Sequence, residues 1–378
     1  MEPLPIACDL ISFVSPSHQS NGPISQYVQD YLDRAGFDTE RLQYVDSHGQ
    51  RKVSIVGRKG KGPGGFAYFA HSDVVPAERW FSDSPGPYAP TVIGNRLFGR
   101  GSCDMKGSLA CMLAAVSRNA TRRLHAPIYV TCTADEEIGY GGAKQVAAES
   151  RLFREMVAGE THAVIGEPTA CEVVYAHKGG VCLRVTAQGI ASHSSGRKGR
   201  NALLEMIPFL TEMRALYEET EQEARWQDGR FDPSSVRWNI GLRGTDEPLN
   251  VTQSQSVCTV YFRPMPEQDV QPLIERTRDA AERHGLNFDI VFQNAPLFVD
   301  PASAYVRQTL KLTGQAEAHT APYGTDGCMF GALRNLVVLG PGDIAQAHTH
   351  DEWIALEQLE LGTEMYSQLI QHWCQADD

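Results

Sequence analysis

Imidazoles and carboxylates in this chain follow short apolar runs, a placement suited to metal binding and proton transfer. Phe66 to Ala70 leads into His71-Ser72-Asp73-Val74-Val75-Pro76, and Pro127 to Cys132 leads into Thr133-Ala134-Asp135-Glu136-Glu137-Ile138-Gly139. Ala163 to Ile165 leads into Gly166-Glu167-Pro168-Thr169, while Leu336 to Leu339 is followed by Gly340-Pro341-Gly342 and then by His348-Thr349-His350-Asp351-Glu352. A fifth segment, Gly99-Arg100-Gly101-Ser102-Cys103-Asp104-Met105-Lys106-Gly107, carries one aspartate through a glycine-rich turn into an apolar helix. Singly, each has an ordinary explanation. His71 and Asp73 read as a polar strand end, Asp104 as a helix N-cap, the three acids as a solvated loop, and Glu167 as an unremarkable residue before a proline.

Together they read differently, because open α/β sheets bind ligands at the carboxyl ends of their strands. Four strands of one sheet that all end in His, Asp or Glu form a constellation. Two histidines with three carboxylates suit two ions held by mixed N and O ligands, most naturally Zn²⁺, with Co²⁺ and Mn²⁺ as alternatives. Paired ions lower the pKa of a shared water to near ~7 and polarise a carbonyl together. A carboxylate that is not a ligand must then move the proton. Asp73, two residues past His71, can accept the far ring N–H and fix the tautomer, and the glycines around Asp104 permit the close backbone approach of a crowded site.

The elements that must position these residues follow from hydrophobic periodicity. The apolar runs read as buried strands. Between them Leu109, Met112, Leu113 and Val116 fall at i, i+3, i+4, i+7 and line up one apolar helix face. Alternating strands and helices predict an α/β fold with a mixed sheet and helices on both faces. From 178 to 293 the order changes: strand (Val181 to Ala187), long helix (Asn201 to Trp226), two strands (Val236 to Leu242, Ser256 to Arg263), helix (Gln268 to His284), strand (Phe288 to Phe292). That is the split βαβ, ferredoxin-like order. It predicts an inserted α+β domain at 178–293 between the two parts of a catalytic domain, 1–177 and 294–378. Trp353 to Trp373 reads as an amphipathic helix with Ile354, Leu361, Met365 and Leu369 on one side and Gly362 in its middle.

Composition bounds the function. With 34 Lys and Arg against 46 Asp and Glu in 378 residues, the net charge of -12 argues against nucleic acid as a partner. The longest apolar stretch, Leu109 to Val116, is too short to cross a bilayer, and Met1-Glu2-Pro3-Leu4-Pro5 lacks the basic, apolar character of a secretion signal. The cytoplasm is the expected location. Nine scattered cysteines without a C-x-x-C pair fit reduced thiols rather than a disulfide framework or zinc ribbon. Gly340-Pro341-Gly342-Asp343-Ile344-Ala345 fits G-x-G-x-x-A, but only the terminal helix follows it, so a dinucleotide site is disfavoured. No G-x-S-x-G is present to make a serine nucleophile elbow.

H-S-D-V-V-P, G-R-G-S-C-D-M-K-G, T-A-D-E-E-I-G, G-E-P-T and A-H-T-H-D-E, in this order around an inserted domain, resemble the M20 metallopeptidases, particularly the acetylornithine deacetylase and succinyl-diaminopimelate desuccinylase group. The resemblance covers nearly the whole chain. It implies that Asp104 bridges two metals, that His71 and Glu167 complete one site and Glu137 and His348 the other, that Glu136 is the general base, and that Asp73 orients His71. It further implies that His193, in Ala191-Ser192-His193-Ser194-Ser195, stabilises the oxyanion from across a homodimer formed through the inserted domain. Asn250 and Arg263 match residues that grip the substrate carboxylate, although without the resemblance a surface ion pair is the slightly favoured reading of Arg263. Gly324 and Thr325, in Tyr323-Gly324-Thr325-Asp326-Gly327, would close over the substrate backbone, in a version closer to the desuccinylases. Cys103 departs from the family's small non-thiol residue and either packs inertly or sensitises the site to oxidation. His350 competes with His348, though the H-x-x-D-E spacing favours His348. The expected activity is hydrolysis of the amide of a small N-acyl amino acid, most naturally N-acetylornithine. The alternatives are a succinyl-diaminopimelate desuccinylase, an M20 carboxypeptidase or dipeptidase, or a non-catalytic metal-binding protein on the same fold.

Overall fold

The computed structural model describes residues 2–82 and 85–375. The chain forms two compact units. One comprises the chain up to Ala176, Phe298–His319 and Thr325 onward; the other comprises His177–Leu297 and Thr320–Gly324.

The first unit is built on a mixed sheet. Its strands lie in the order Asp38–Val45, Arg51–Lys59, Ile128–Thr133, Phe66–His71, His162–Ile165, Leu336–Val338, Val174–His177. The four from Ile128–Thr133 to Leu336–Val338 run parallel, and Arg51–Lys59 pairs antiparallel with Ile128–Thr133. Every residue of Phe66–His71 and Ile128–Thr133 is buried, the pattern of strands covered on both faces. Neighbouring side chains show what covers each face, since successive residues of a strand point oppositely. Tyr68 meets Tyr366 edge-on and hydrogen-bonds Ser108, while Phe69 packs on Phe153 and Phe330. Helices therefore flank both sides. Because the four central strands are parallel, the residues after His71, Thr133, Ile165 and Val338 share one edge.

The helix expected around Leu109, Met112, Leu113 and Val116 is present at Lys106–Arg118, and its burial extends beyond that face: all residues from Lys106 to Val116 are buried. It is enclosed by the sheet and by helices Pro3–Ser12 and Leu356–Cys374, so both of its faces are apolar. The tail begins not as helix but as a strand, Trp353–Ala355, pairing with Arg96–Phe98, and the helix starts at Leu356. Its buried side is Leu359, Gly362, Thr363, Tyr366 and Ile370 together with Met365 and Leu369, whereas Leu361 is exposed. Gly362 is explained by contact: a Cβ there would lie 2.7 Å from Pro341 Cγ.

The second unit carries Gly180–Gln188, helix Ala202–Gln222, Arg237–Gly244, Gln255–Arg263, helix Gln271–Arg283 and Asn287–Asn294. Its sheet has the order Arg237–Gly244, Gln255–Arg263, Gly180–Gln188, Asn287–Asn294, antiparallel throughout. Gln255–Arg263 alternates strictly between buried and half-buried residues, so one face is covered. Asn201 caps the long helix by accepting from the Leu203 N–H, and that helix stops at Gln222, before a separate short turn at Ala224–Trp226. No helix among the described residues is long and apolar enough to cross a membrane.

Candidate metal centre

His71 ends its strand fully buried, and its two ring nitrogens face different partners. Nε2 lies 3.1 Å from Asp104 Oδ1 and 3.6 Å from Glu167 Oε1. Nδ1 lies 2.9 Å from the backbone carbonyl of Asp73. The Asp73 carboxylate, expected in that role, is 3.8 Å from Nδ1. It is drawn away because it accepts from Ser17 Oγ at 2.7 Å and from the N–H groups of Glu136 and Glu137 at 3.2 and 3.4 Å. Asp73 thus ties the first strand end to the acidic run of its neighbour.

Asp104 splits its carboxylate between two imidazoles. While Oδ1 meets His71, Oδ2 lies 3.3 Å from His348 Nε2, which also sits 3.0 Å from Glu137 Oε2. His348 adopts φ 63, in the left-handed region, and its side chain is half exposed. His350 points elsewhere: its side chain is 67% exposed and approaches Asp351. Donor atoms of His71, Asp104 and Glu137 lie within 4.8 Å of one another, and so do those of His71, Glu136 and Glu167. Glu136, expected as the base, is therefore close enough to compete as a ligand.

The donor set fits two cations. Atoms each about 2.1 Å from one tetrahedral ion lie about 3.4 Å apart, and the distances from His71 and His348 to Asp104, Glu137 and Glu167 run from 3.0 to 3.6 Å. Charge makes the same point. Burial, with the field of Glu167 next, raises Glu136 well above the usual carboxylate range, and burial with Asp104 does the same to Glu167 and, less strongly, to Glu137. Burial would raise Asp104 also, but hydrogen bonds from His348 and His71 hold it low. The hydrogen bond to Asp104 pushes His348 up to about 10, and His71 rises well above the imidazole range despite its burial. In the metal-free protein the imidazoliums are the counter-charges, and a bound ion must displace their protons.

Several supporting residues were given no role by the sequence: Lys52 and Tyr44 lie outside every motif, and Asp135, Asp326 and Glu352 lie within motifs without being singled out. Buried Lys52 donates to Asp135 at 2.6 Å and to the carbonyls of Ser17 and Gln19, and Tyr44 donates to the other oxygen of Asp135 at 2.6 Å. Asp135, held at φ 57, is thereby an anchor for the turn that presents Glu136 and Glu137. Asp326 accepts from Thr133 Oγ1 at 2.5 Å, and burial pushes it up to about 7. Glu352 binds the Gly101–Asp104 turn. No sequence signal links these pairs, because their partners come from distant segments. Cys103 is buried with its thiol donating to the Asp343 carbonyl at 3.2 Å, and burial raises it well above the thiol range, so it packs inertly.

The remaining expected residues lie apart from the cluster in the chain. Thr325, in the first unit, is buried and caps a short turn by accepting from the Gly327 N–H; Gly324 belongs to the second unit. Also in the second unit, the loops bearing His193 and Asn250 are zipped together: His193 bridges Val251, and the Ser194 N–H donates to the Asn250 carbonyl at 2.8 Å. Arg263, at its strand end, stacks over Tyr261 opposite Arg237.

Residues 67–372 match the model of a family described as peptidase family M20/M25/M40. An acetylornithine deacetylase of Myxococcus xanthus is 32% identical over 378 residues, covering 97% of this chain and 96% of that protein. Among solved structures, a dipeptidase from Saccharomyces cerevisiae superposes with a TM-score of 0.77 at 14% identity, covering 98% of this chain and 95% of its own. A Bacillus subtilis protein described as a dinuclear metal-binding M20 peptidase does so with a TM-score of 0.64 at 14% identity, covering 97% and 96%.

Proposed function

The chain belongs to the M20/M25/M40 peptidase family and is an amide-bond hydrolase, and from that premise we propose that it removes the acetyl group of N-acetylornithine. The observation that carries the reading is the Asp104 carboxylate divided between His71 and His348, joined to near-full-length similarity to acetylornithine deacetylases. His71, Asp104 and Glu167 would hold one ion, and Asp104, Glu137 and His348 the other. Zn²⁺ suits these N and O donors best, with Co²⁺ and Mn²⁺ as alternatives. When bound, two ions lower the pKa of a shared water to roughly 7 and polarise the scissile carbonyl.

Glu136 takes the proton of the attacking water and delivers it to the amide nitrogen as the C–N bond breaks, leaving acetate and a free amine. Its burial and its like-charged neighbours raise its affinity for that proton. Asp73 keeps Glu136 and Glu137 in register by accepting both of their N–H groups. His193 is prepared as an oxyanion donor. Its Nδ1 accepts the Ser195 N–H at 3.2 Å, which leaves the proton of the neutral ring on Nε2. Asn250 and Arg263 would hold the substrate carboxylate, and Gly324 and Thr325 its backbone.

We further propose a homodimer formed through the second unit, in which His193 serves the partner's site. Among the described residues the outermost strand, Arg237–Gly244, is paired only with Gln255–Arg263 and exposes Ile240 and Leu242, an edge open to strand addition. Nine cysteines scattered without a C-x-x-C pair support the cytoplasm as its location. Thr325-Asp326-Gly327 favours a second reading, succinyl-diaminopimelate desuccinylase.

Chelator-treated protein assayed on N-acetyl-L-ornithine, N-succinyl-diaminopimelate and N-acetyl-methionine, with and without Zn²⁺ or Co²⁺, tests this. Metal-restored cleavage of the first supports the reading, cleavage of the second alone moves it to the desuccinylases, and cleavage of neither with two ions bound refutes both.

A further inference from the structure

We propose that Glu352 is the positioning residue of the metal centre, holding the bridging carboxylate of Asp104 where both ions can share it. Its side chain is 1% exposed and receives four donors from one turn. Oε1 accepts the backbone N–H groups of Cys103 and Asp104 at 2.8 and 2.9 Å; Oε2 accepts the Gly101 N–H at 2.9 Å and Arg100 Nη1 at 2.7 Å. The Glu352 carbonyl accepts the Gly99 N–H at 3.1 Å. The Arg100 guanidinium, itself buried, reaches on to the Pro76 carbonyl at 3.4 Å, tying in the segment that follows His71.

This turn needs such an acceptor. Gly101 has φ +85, and a Cβ there would lie 2.9 Å from Val74 Cγ1, so the backbone is pressed inward with its N–H groups buried. Each buried N–H without a partner costs about 1–3 kcal/mol, and one carboxylate from the other end of the chain satisfies three. One of those three belongs to Asp104, whose Oδ atoms then fall 3.1 and 3.3 Å from the two histidines. Glu352 also lies four residues beyond His348, and the strand that follows it pairs with Arg96–Phe98, just before the turn. One side chain therefore couples the His348 loop to the Asp104 turn. It touches neither ion nor substrate and acts through Asp104, so the inference rests on the reading of Asp104 as a shared ligand.

The test titrates chelated wild type, Glu352→Gln, Arg100→Lys and Asp104→Asn with Co²⁺, following stoichiometry and affinity by calorimetry and the visible absorption of the bound ions. Glutamine keeps one oxygen for two donors but turns an NH₂ toward the other two. Its expected effect is roughly 10–100-fold weaker Co²⁺ binding, with altered absorption bands and unchanged circular dichroism. Arg100→Lys, which leaves the three backbone bonds in place but loses the reach to the Pro76 carbonyl, should weaken binding less than Glu352→Gln does. A folded Glu352→Gln with wild-type affinity and spectrum overturns the proposal, provided Asp104→Asn loses binding; if Asp104→Asn also binds both ions unchanged, the reading of the metal site itself has failed. Should Glu352→Gln not fold, Glu352→Asp, which keeps the charge but shortens the reach, carries the same expectation and the same refutation.

Discussion

Replacing Glu136 with glutamine should lower activity and raise the stability of the metal-free protein together. In its proposed role as the carrier of the water's proton, Glu136 is worth roughly 10²–10⁴ in kcat, or about 3–5 kcal/mol of barrier at ~1.4 kcal/mol per factor of ten. KM should change little. The stability change has the opposite sign. Glu136 is half-buried, and desolvation together with the charges of Glu167 and Glu137 raises its pKa well above the ordinary 4.5. An acid whose pKa is raised by folding destabilises the fold once pH exceeds its unfolded value, and the penalty grows until pH passes the raised value. The charged form of Glu136 is therefore disfavoured in the folded protein at pH 7, and the chelated variant should melt above chelated wild type. The gap should close as pH falls toward 4.5. The assays are steady-state kinetics on N-acetyl-L-ornithine, metal stoichiometry, and calorimetric melts of chelated protein across pH. Glu136 also lies within ligand reach of His71 and Glu167, so loss of one ion in Glu136→Gln would make it a ligand rather than the base. Two bound ions with full turnover would refute its role altogether.

Lys52→Met should destabilise the protein by about 3–5 kcal/mol, the cost of leaving the buried Asp135 carboxylate unpaired, measurable in urea melts of chelated protein. Loading with Zn²⁺ at pH 7 should release protons, because His71 and His348 hold raised pKa values in the metal-free state; binding heats compared in buffers of different ionisation enthalpy would reveal none if the histidines are not ligands. Affinity should accordingly rise with pH until the free His348 has lost its proton, near about 10. His193→Ala should cost roughly 10²–10³ in kcat with metal content unchanged, and an active monomer in sedimentation would exclude its action across a dimer.

The meeting of these candidate ligands was legible because each sits beside a local signal. A strand announces itself by its apolar run, as at Phe66–His71, and the residue after it is delivered to the sheet edge by chain continuity alone. The order of the second unit's elements was equally plain, since Gln255–Arg263 alternates and Ala202–Gln222 has helical period. Periodicity found the helix at Lys106–Arg118 but not its burial on every side from Lys106 to Val116, and it missed Trp353–Ala355, a strand only because Arg96–Phe98 lies ready to pair with it.

What the chain by itself determined, then, is the kind of chemistry: two imidazoles and several acids at strand ends, in an order that identifies the family. Tertiary structure decided which atoms meet. The Asp73 carbonyl, not its carboxylate, faces His71, His348 rather than His350 turns toward Asp104, and Glu352 gathers the N–H groups of a turn 248 residues away. Hydrogen bonds reach about 3 Å and their geometry is set by the folded backbone, so no spacing along the sequence encodes them.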